Sequence, residues 1–148
     1  MTIAFDADVL IYAAAPSHPL GAKVARLFDS DPDDSDPEST VGVGSLLLLT
    51  EVLAKPMRAD PESDETADLA GLLVRLDLRP VDEATAKTAL ALAVRYGLSA
   101  ADAVHLATAV VAGADWFLTN NRRDFPPTIS EVNVIYPDDL PLPGATGE

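Results

Sequence analysis

Apolar and polar residues alternate in blocks along the chain, and the most informative block covers residues 97–125. Its first half, S-A-A-D-A-V-H-L-A-T-A-V-V, is apolar on nearly every helical face, which is typical of a helix inside a domain. Ser99 fits the N-cap with Asp102 three residues later, and Gly113 fits the position after the last turn. The apolar run W-F-L at 116–118 then predicts a short buried strand, which a polar loop follows directly.

The same alternation of helix and strand extends over the whole chain. Short apolar runs predict further strands at residues 2–5, 78–81 and 132–136. Helical patterns predict helices that begin near residue 9 and that cover 20–29, 46–55, 66–76 and 83–96. Because short strands alternate with helices, the predicted fold class is α/β, a single domain over residues 1–148 with a short central parallel sheet flanked by helices.

The helix predicted after Ser45 has features that bear on function. Ser45 fits its N-cap, and Pro56 is expected to end it because proline is disfavoured inside a helix. Four leucines at 46–49 cover every face of one turn, so the helix is predicted to be deeply buried. Glu51 lies on it, and burying an unpaired carboxylate costs several kcal/mol, so that side chain needs a partner or a metal ion. Lys55, one turn later, is the alternative partner.

Two segments are predicted to lie outside the packed domain. Residues 29–40, D-S-D-P-D-D-S-D-P-E-S-T, are rich in Asp, Ser and Pro, as is typical of a mobile, solvated loop. They lack the central Gly and the closing Glu at the offsets that an EF-hand calcium loop needs. The Pro-rich segment from about residue 137 is predicted to be a flexible tail.

Composition narrows the chemistry that the domain can perform. The formal net charge is −14, which argues against broad, sequence-independent binding of nucleic-acid phosphates. An enzyme that meets phosphate through a divalent cation is still compatible with this charge. The absence of cysteine excludes disulfides and thiolate metal sites. No apolar run is long enough to cross a membrane and the N-terminus lacks a signal-peptide pattern, so we expect a cytoplasmic protein with no membrane association.

Four acidic residues combine charge with a placement that favours function: Asp6, Glu51, Asp102 and Asp124. Asp6 follows the first strand, and ligands of parallel α/β sheets bind at the carboxyl ends of strands; an N-cap is the alternative role. Carboxylates gathered in one pocket repel one another unless protons or cations are bound. Oxygen ligands without cysteine suit Mg²⁺ or Mn²⁺, which can activate water for attack on a phosphodiester. We therefore predict that these four acids hold the ion and carry out catalysis.

Four motifs along the chain resemble those of PIN-domain ribonucleases, in particular the VapC toxins of toxin–antitoxin pairs. They are D-A-D-V-L-I-Y, T-E-V-L-A-K-P, S-A-A-D-A-V-H-L-A-T-A and L-T-N-N-R-R-D-F. The resemblance implies a PIN-like fold, Asp6 and Glu51 as conserved acids, and metal-dependent hydrolysis of RNA by water rather than by the RNA 2′-hydroxyl. It also implies a toxin role, a homodimer and a cognate antitoxin that blocks the acidic site. The family more often has Asn or Ser where this chain has Asp8, so the role of Asp8 is left open.

The fourth acid has three candidates near the polar loop: Asp115, Asn121 and Asp124. Asp115 precedes the strand at 116–118 and is predicted to be structural, since it lies about 10 Å or more from the other end of that strand. Asn121 stands where many members of the resembled family have Asp, but a neutral amide adds no charge to a metal site. Asp124 keeps the charge, and we predict that it completes the site.

Neighbouring polar residues receive supporting roles. Thr119, Arg122 and Arg123 are predicted to contact RNA, the arginines because guanidinium groups bind phosphate through paired hydrogen bonds. A solvated pair of arginines is the alternative. His105 lies one turn after Asp102 on the apolar helix. We interpret it as a buried, hydrogen-bonded packing residue, with a role in orienting a metal ligand as the alternative.

Two other functions fit part of the sequence. I-A-F-D-A-D-V also resembles the opening of haloacid-dehalogenase-type phosphatases, in which Asp6 would be the nucleophile and Asp8 the general acid–base. The chain is short for that class, and no lysine follows at a convincing phosphate-binding strand. The other alternative is a PIN fold that serves only as a catalytically silent binding module. Loss of acids would mark that case, and here all the expected acids are found.

Overall fold

A computed structural model describes residues 2–15, 17–29 and 40–140 of the chain. The strands in this part are β1 (Ile3–Phe5), β2 (Gly42–Ser45), β3 (Leu76–Arg79), β4 (Trp116–Leu118) and β5 (Asn133–Ile135). The helices are α1 (Ala7–Ala13), α2 (Pro19–Asp29), α3 (Leu47–Ala59), α4 (Asp64–Leu73), α5 (Glu83–Tyr96) and α6 (Ala100–Val111). Residues 30–39, most of the predicted mobile loop, lie outside the described residues.

All five strands run parallel in the order β3-β2-β1-β4-β5. The central strand is β1, in which Ala4 pairs with Val43 of β2 on one side and with Phe117 of β4 on the other. This arrangement confirms the predicted α/β fold with a short parallel sheet. Because parallel strands share one direction, their carboxyl ends lie at the same edge, where such sheets bind ligands.

Helices cover both faces of the sheet and enclose two hydrophobic cores. Ile3 and Phe5 of β1 pack with α1, α2, α3 and α4 on the first face. Ala4 packs with α5 and α6 on the second face. Successive residues of a strand point to opposite faces, so the central strand is buried on both sides. The residue that follows it, Asp6, therefore emerges between the two helical layers.

The sequence pattern did not predict β2, because the segment G-V-G-S contains two glycines and glycine is disfavoured in strands. The packing around the strand explains both of them. A Cβ atom on Gly42 would lie 2.2 Å from the backbone oxygen of Ile3. A Cβ atom on Gly44 would lie 2.4 Å from Cδ1 of Leu48. The glycines thus allow β1 and α3 to approach β2 closely.

Helix α3 differs from its prediction at both ends. It continues through Pro56 to Ala59 instead of stopping before the proline. Pro56 is buried, and the packing of its ring offsets part of the roughly 3 kcal/mol that proline costs inside a helix. Ser45, predicted as the N-cap, is the last residue of β2, although its hydroxyl accepts a hydrogen bond from the backbone N–H of Leu47 at 3.1 Å.

The predicted deep burial of α3 is wrong. Leu48 is fully buried, whereas Leu46 and Leu49 are 41% and 42% exposed. The helix forms an outer layer on the first face of the sheet, so only one stripe of its side chains reaches the core. A run of four leucines fills both that stripe and part of the outward face.

The predicted boundaries of α4 and β3 are each shifted by a few residues. Helix α4 begins two residues before the predicted range of 66–76, because the hydroxyl of Ser63 accepts a hydrogen bond from the backbone N–H of Thr66 at 3.1 Å. Strand β3 likewise begins two residues before the predicted range of 78–81. The order of the elements is unchanged by these shifts.

Helix α6 has the predicted ends. The hydroxyl of Ser99 caps it by accepting a hydrogen bond from the backbone N–H of Asp102 at 3.3 Å. Gly113 follows the last turn with a φ of +70°, a conformation that glycine adopts without strain. Within the described ranges, neither α6 nor any other helix is long and apolar enough to cross a membrane.

The chain stays packed beyond β5 as far as residue 140. Residues Pro137–Asp139 form a 3-10 turn, and Leu140 is buried in the core on the first face. The prediction had assigned these residues to the flexible tail. The part of that tail at 141–148 lies outside the described residues.

Candidate acidic site

Asp6 lies at the centre of the carboxyl edge of the sheet. Its backbone N–H donates to the carbonyl of Leu118 at 3.0 Å, so the pairing of β1 with β4 continues up to this residue. Its Oδ1 atom accepts a hydrogen bond from the backbone N–H of Ala7 at 2.9 Å, which makes Asp6 the N-cap of α1. Its Oδ2 atom accepts a hydrogen bond from the hydroxyl of Thr119 at 2.7 Å. The carboxylate is thus fixed from two sides.

Thr119 has a different role from the predicted contact with RNA. The residue is fully buried directly after β4. Besides donating to Asp6, its hydroxyl oxygen accepts a hydrogen bond from the backbone N–H of Asn121 at 3.0 Å. Thr119 therefore orients Asp6 and begins the polar loop, and its hydroxyl is used inside the protein.

Asp8 approaches Asp6 from the first turn of α1. Both of its carboxylate oxygens accept a hydrogen bond from the backbone N–H of Asn120, at 3.2 and 3.3 Å. Burial raises the pKa of Asp8 to about 6, and the negative charge of Asp6 adds to this shift. The cluster therefore favours a proton or a cation close to Asp8.

Asp102 faces the same cluster from the first turn of α6. Burial is the main cause that raises its pKa, followed by the negative charges of Asp6 and Asp124. Burial also raises the pKa of Asp6, against the opposing effect of the hydrogen bond from Thr119. The helix ends and the central strand thus bring three carboxyl groups together in partly buried surroundings.

Asn121 and Asp124 close the loop after β4 through reciprocal hydrogen bonds. Nδ2 of Asn121 donates to Oδ2 of Asp124 at 2.9 Å, and the backbone N–H of Asp124 donates to Oδ1 of Asn121 at 3.1 Å. Phe125 anchors this loop in the core, where its ring lies edge-on to Phe117 with the centroids 5.0 Å apart. The two candidates for the fourth position therefore support each other. Of the two, Asp124 carries the charge that acts on Asp102.

Glu51 is paired with His105. Nε2 of His105 and Oε1 of Glu51 form a hydrogen bond, which supplies the partner that the sequence analysis required. The side chain of Glu51 is 38% exposed, so the carboxylate is less buried than predicted. The alternative partner, Lys55, is exposed on the same helix. The side chain of His105 is 1% exposed, which confirms its interpretation as a buried, hydrogen-bonded residue.

Arg122 and Arg123 differ in how far they are free to bind a phosphate. The guanidinium of Arg122 lies over the ring of Tyr136, 4.1 Å from its centroid, and donates to Asp138 at 2.9 Å. Arg123 is exposed beside it. A ligand would have to compete with Asp138 for Arg122, which makes Arg123 the more accessible cationic group of the loop.

The acidic cluster offers oxygen ligands to a divalent cation without forming a complete ligand set. Among residues 2–15, 17–29 and 40–140, no three Asp, Glu or His side chains converge closely enough to hold one ion by themselves. Mg²⁺ keeps several of its water molecules and needs only one or two protein carboxylates. Asp6 and Asp102 both raise the pKa of Asp8, and a cation would relieve this repulsion. The residues present therefore fit a hydrated divalent ion.

Comparisons with known proteins agree with this architecture. The sequence profile of the PIN domain matches residues 3–127. A toxin–antitoxin complex from Klebsiella pneumoniae contains a chain of 20% identity that superposes with a TM-score of 0.69, over 93% of this chain and 98% of the other. The crystal structure of VapBC2 from Rickettsia felis, bound to a DNA fragment from their promoter, gives 14% identity and a TM-score of 0.68, over 92% and 98%. A search of curated proteins found no match.

The profile match and the two structures carry different weight. At these identities the two structures show a common fold. The profile spans most of the chain, from β1 to the loop after β4, and includes the four acids named from the sequence. The chain therefore belongs to the PIN domain family.

Proposed function

We propose that this PIN domain is a metal-dependent endoribonuclease that acts as the toxin of a type II toxin–antitoxin pair. The observation that carries the proposal is the cluster of carboxyl groups of Asp6, Asp8 and Asp102 at the carboxyl edge of the sheet. Family membership and the fold shared with VapBC2 and with a second toxin–antitoxin complex support it. RNA is the proposed substrate, and Mg²⁺ or Mn²⁺ the proposed cofactor.

Each acid has a proposed role toward the cation. Asp6 and Asp102 would hold it directly, and Glu51 and Asp124 would act through water that the ion retains. When bound, such an ion supplies a water molecule of lowered pKa and stabilises negative charge on the phosphodiester. The hydrogen bond from Thr119 keeps the Asp6 carboxylate in one orientation, so Asp6 would not lose further conformational freedom when the cation binds.

The histidines support attack by water over attack by the RNA 2′-hydroxyl. The second mechanism needs accessible acid–base groups, for which histidine is the usual choice. His105 is buried and bonded to Glu51. Nδ1 of His18 accepts a hydrogen bond from the backbone N–H of Leu20 at 3.2 Å, and its ring stacks on Tyr12. One ring nitrogen of each histidine is therefore engaged within the protein.

The proposed partners follow from charge. A net charge of −14 gives RNA little general attraction, so the cation and Arg123 would supply the phosphate contacts. The same carboxyl cluster attracts guanidinium groups, and we propose that a cognate antitoxin inserts at least one arginine into it. We also propose a homodimer in the cytoplasm, for which light scattering of the purified protein gives the mass.

A cleavage assay tests the enzymatic part of the proposal. We expect RNA to be cut with Mg²⁺ or Mn²⁺, and Asp6→Asn and Asp102→Asn each to abolish cleavage without unfolding the protein. Asp115→Asn is the matched control, because Asp115 lies exposed at the opposite edge of the sheet, where it accepts a hydrogen bond from the backbone N–H of Thr2 at 2.8 Å. Cleavage that is undiminished in EDTA would contradict the proposal.

Expression in a host cell tests the toxin role separately. Expressing the wild-type chain alone should slow growth, Asp6→Asn should relieve the effect, and co-expression of the gene next to it in the genome should relieve it as well. Harmless expression of an enzyme that cuts RNA in vitro would contradict the toxin role and leave the nuclease assignment standing.

Membership in the PIN family argues against the phosphatase alternative. The phosphatase hypothesis requires Asp8 as a general acid–base, so it predicts that Asp8→Asn abolishes phosphatase activity. The nuclease hypothesis predicts that Asp8→Asn causes only a modest loss of cleavage rate. The catalytically silent module is the remaining alternative, and it predicts that the wild-type protein cuts no RNA with either cation.

A further inference from the structure

Glu51 and His105 belong to helices on opposite faces of the sheet. Helix α3, which carries Glu51, packs through Leu48 in the core on the first face. Helix α6, which carries His105, packs through Leu106 in the core on the second face. The hydrogen bond between their side chains therefore joins the two helical layers. It does so beside Asp6, whose pKa the negative charge of Glu51 helps to raise.

The surroundings of His105 indicate which ring nitrogen carries the hydrogen. An ionised carboxylate only accepts hydrogen bonds, so Nε2 of His105 must donate to Glu51. Nδ1 is buried and has no hydrogen-bond partner in the described part of the chain. With the hydrogen on Nε2, this second nitrogen is a bare acceptor, whereas a hydrogen on Nδ1 would be a buried donor without a partner. The geometry thus favours the Nε2–H tautomer.

Packing alone does not account for the imidazole. An aliphatic side chain of similar size would fill the same volume without burying an unpartnered polar atom. What His105 adds is one hydrogen bond, and its acceptor is a long side chain that is 38% exposed. Without that bond, Glu51 can rotate into solvent and regain its conformational freedom. The effect of this hydrogen bond is therefore to fix the position of the Glu51 carboxylate.

We propose that His105 is a positioning residue that holds the Glu51 carboxylate toward the acidic site, where it supports a bound cation. The inference rests on the proposed function and deepens it. Histidines and carboxylates that orient metal ligands commonly act through one such hydrogen bond. Here the histidine is the buried, immobile partner, and the acid is the side chain that needs to be held.

The test measures the affinity of variants for Mn²⁺ by titration, following the free ion by electron paramagnetic resonance. His105→Leu fills the volume but removes the donor, and His105→Gln restores an N–H group near the position of Nε2. We expect His105→Leu and Glu51→Gln each to weaken Mn²⁺ binding about tenfold. The His105→Gln protein should bind Mn²⁺ nearly as the wild type does. A protein that combines His105→Leu with Glu51→Gln should bind Mn²⁺ no more weakly than either single variant.

A matched control and a substitute variant accompany this series. The control is Thr108→Val, which removes another buried polar group from α6. The hydroxyl of Thr108 donates to the carbonyl of Val104 at 2.8 Å, within the same helix. The Thr108→Val protein should bind Mn²⁺ as the wild type does. If His105→Leu does not fold, His105→Asn takes its place, because its shorter amide does not reach the position of Nε2. Thermal unfolding of each variant establishes that it is folded.

A second measurement needs no metal. Nitrogen-15 NMR of the histidine rings reports which nitrogen carries the hydrogen, and we expect Nε2 in His105 of the wild-type protein. A hydrogen on Nδ1 would overturn the inference.

The outcomes separate this inference from the proposed function. If a folded His105→Leu binds Mn²⁺ as tightly as the wild type while Glu51→Gln binds weakly, His105 only packs, and the inference fails while the nuclease proposal stands. Failure of His105→Gln to restore affinity also contradicts it. A wild-type protein that neither binds Mn²⁺ nor cuts RNA would overturn the proposed function together with the inference.

Discussion

Asp8 is harder to ionise in the folded protein than in the unfolded chain. Burial and the charge of Asp6 raise its pKa from 3.8 to about 6, so the folded state binds the proton more tightly than the unfolded state does. The free energy of unfolding should therefore fall as the pH rises from about 4 to about 6, and the loss should persist above that range. A divalent cation bound near Asp8 would change this pH dependence, so we expect it for the protein in EDTA.

Replacing Asp8 by asparagine should remove that penalty. We expect Asp8→Asn to raise the free energy of unfolding at pH 7 by about 1 to 2 kcal/mol after allowance for solvent screening. Its side-chain oxygen can still accept the hydrogen bond from Asn120. Urea unfolding in EDTA at pH 4 to 8 measures the effect, with the exposed Asp115→Asn as control. An unchanged pH dependence would show that Asp8 titrates normally.

Thr119 couples the orientation of Asp6 to the stability of the loop. Thr119→Val keeps the shape of the side chain but leaves Oδ2 of Asp6 and the backbone N–H of Asn121 without their partner, which should cost about 1 to 3 kcal/mol. Thr119→Ser keeps the hydroxyl and loses only a methyl group, so it should be the more stable variant. Chemical unfolding measures the free energy of unfolding of both variants, and equal values would contradict the role given to the hydroxyl of Thr119.

At the scale of elements, local sequence predicts a helix well when its ends and its packing face are both encoded in it. Helix α6 is such a case, since Ser99 starts it, Gly113 follows it and the residues between are apolar. Strand β2 is the opposite case, because the reasons for Gly42 and Gly44 lie in Ile3 and in the helix that follows. Contacts between distant segments therefore decide what the local pattern leaves open.

Part of the candidate site could likewise be predicted from the local sequence, and part of it depends on contacts between distant segments. Asp6 and Asp102 were found from the sequence because each stands at the end of a recognisable element. The place of Asp8 in the cluster and the buried role of Thr119 depend on how β1 meets β4, which periodicity does not show. The pairing of Glu51 with a histidine 54 positions away likewise needed the assembled sheet.

The two glycines of β2 give a prediction at the element scale. Gly42→Ala should destabilise by about 3 kcal/mol or more, because its Cβ would meet the backbone of Ile3, which cannot move without breaking the sheet. Gly44→Ala should cost less, since it meets the end of the Leu48 side chain, which can rotate. Gly71→Ala in α4, with nothing within 4 Å, should stabilise by about 1 kcal/mol.

Urea unfolding of the three glycine variants measures these differences. Their order carries the argument, because all three changes add the same methyl group in different surroundings. A Gly42→Ala protein as stable as the wild type would show that β1 and β2 can separate without cost, and the close approach at the centre of the sheet would then not explain Gly42.

For the molecule as a whole, a net charge of −14 means that added cations act in two ways. Any salt screens the general repulsion between the acidic side chains, and this effect depends on ionic strength. A divalent cation held by Asp6 and Asp102, as we propose, would act in addition by mass action on the folded state alone. Stability measurements can separate the two effects, because only the second depends on particular residues.

We expect Mn²⁺ to raise the free energy of unfolding of the wild-type protein by about 2.7 kcal/mol at a hundred times its dissociation constant. NaCl at matched ionic strength should give a smaller, gradual rise. Asp6→Asn should lose most of the Mn²⁺ effect and keep the NaCl effect, because the variant removes one proposed ligand and leaves the remaining acids in place. Asp115→Asn makes the same change of charge at the opposite edge of the sheet and should respond to Mn²⁺ as the wild type does. Equal responses of the Asp6 and Asp115 variants would mean that Mn²⁺ acts by screening, and the acidic cluster would then not be the cation site.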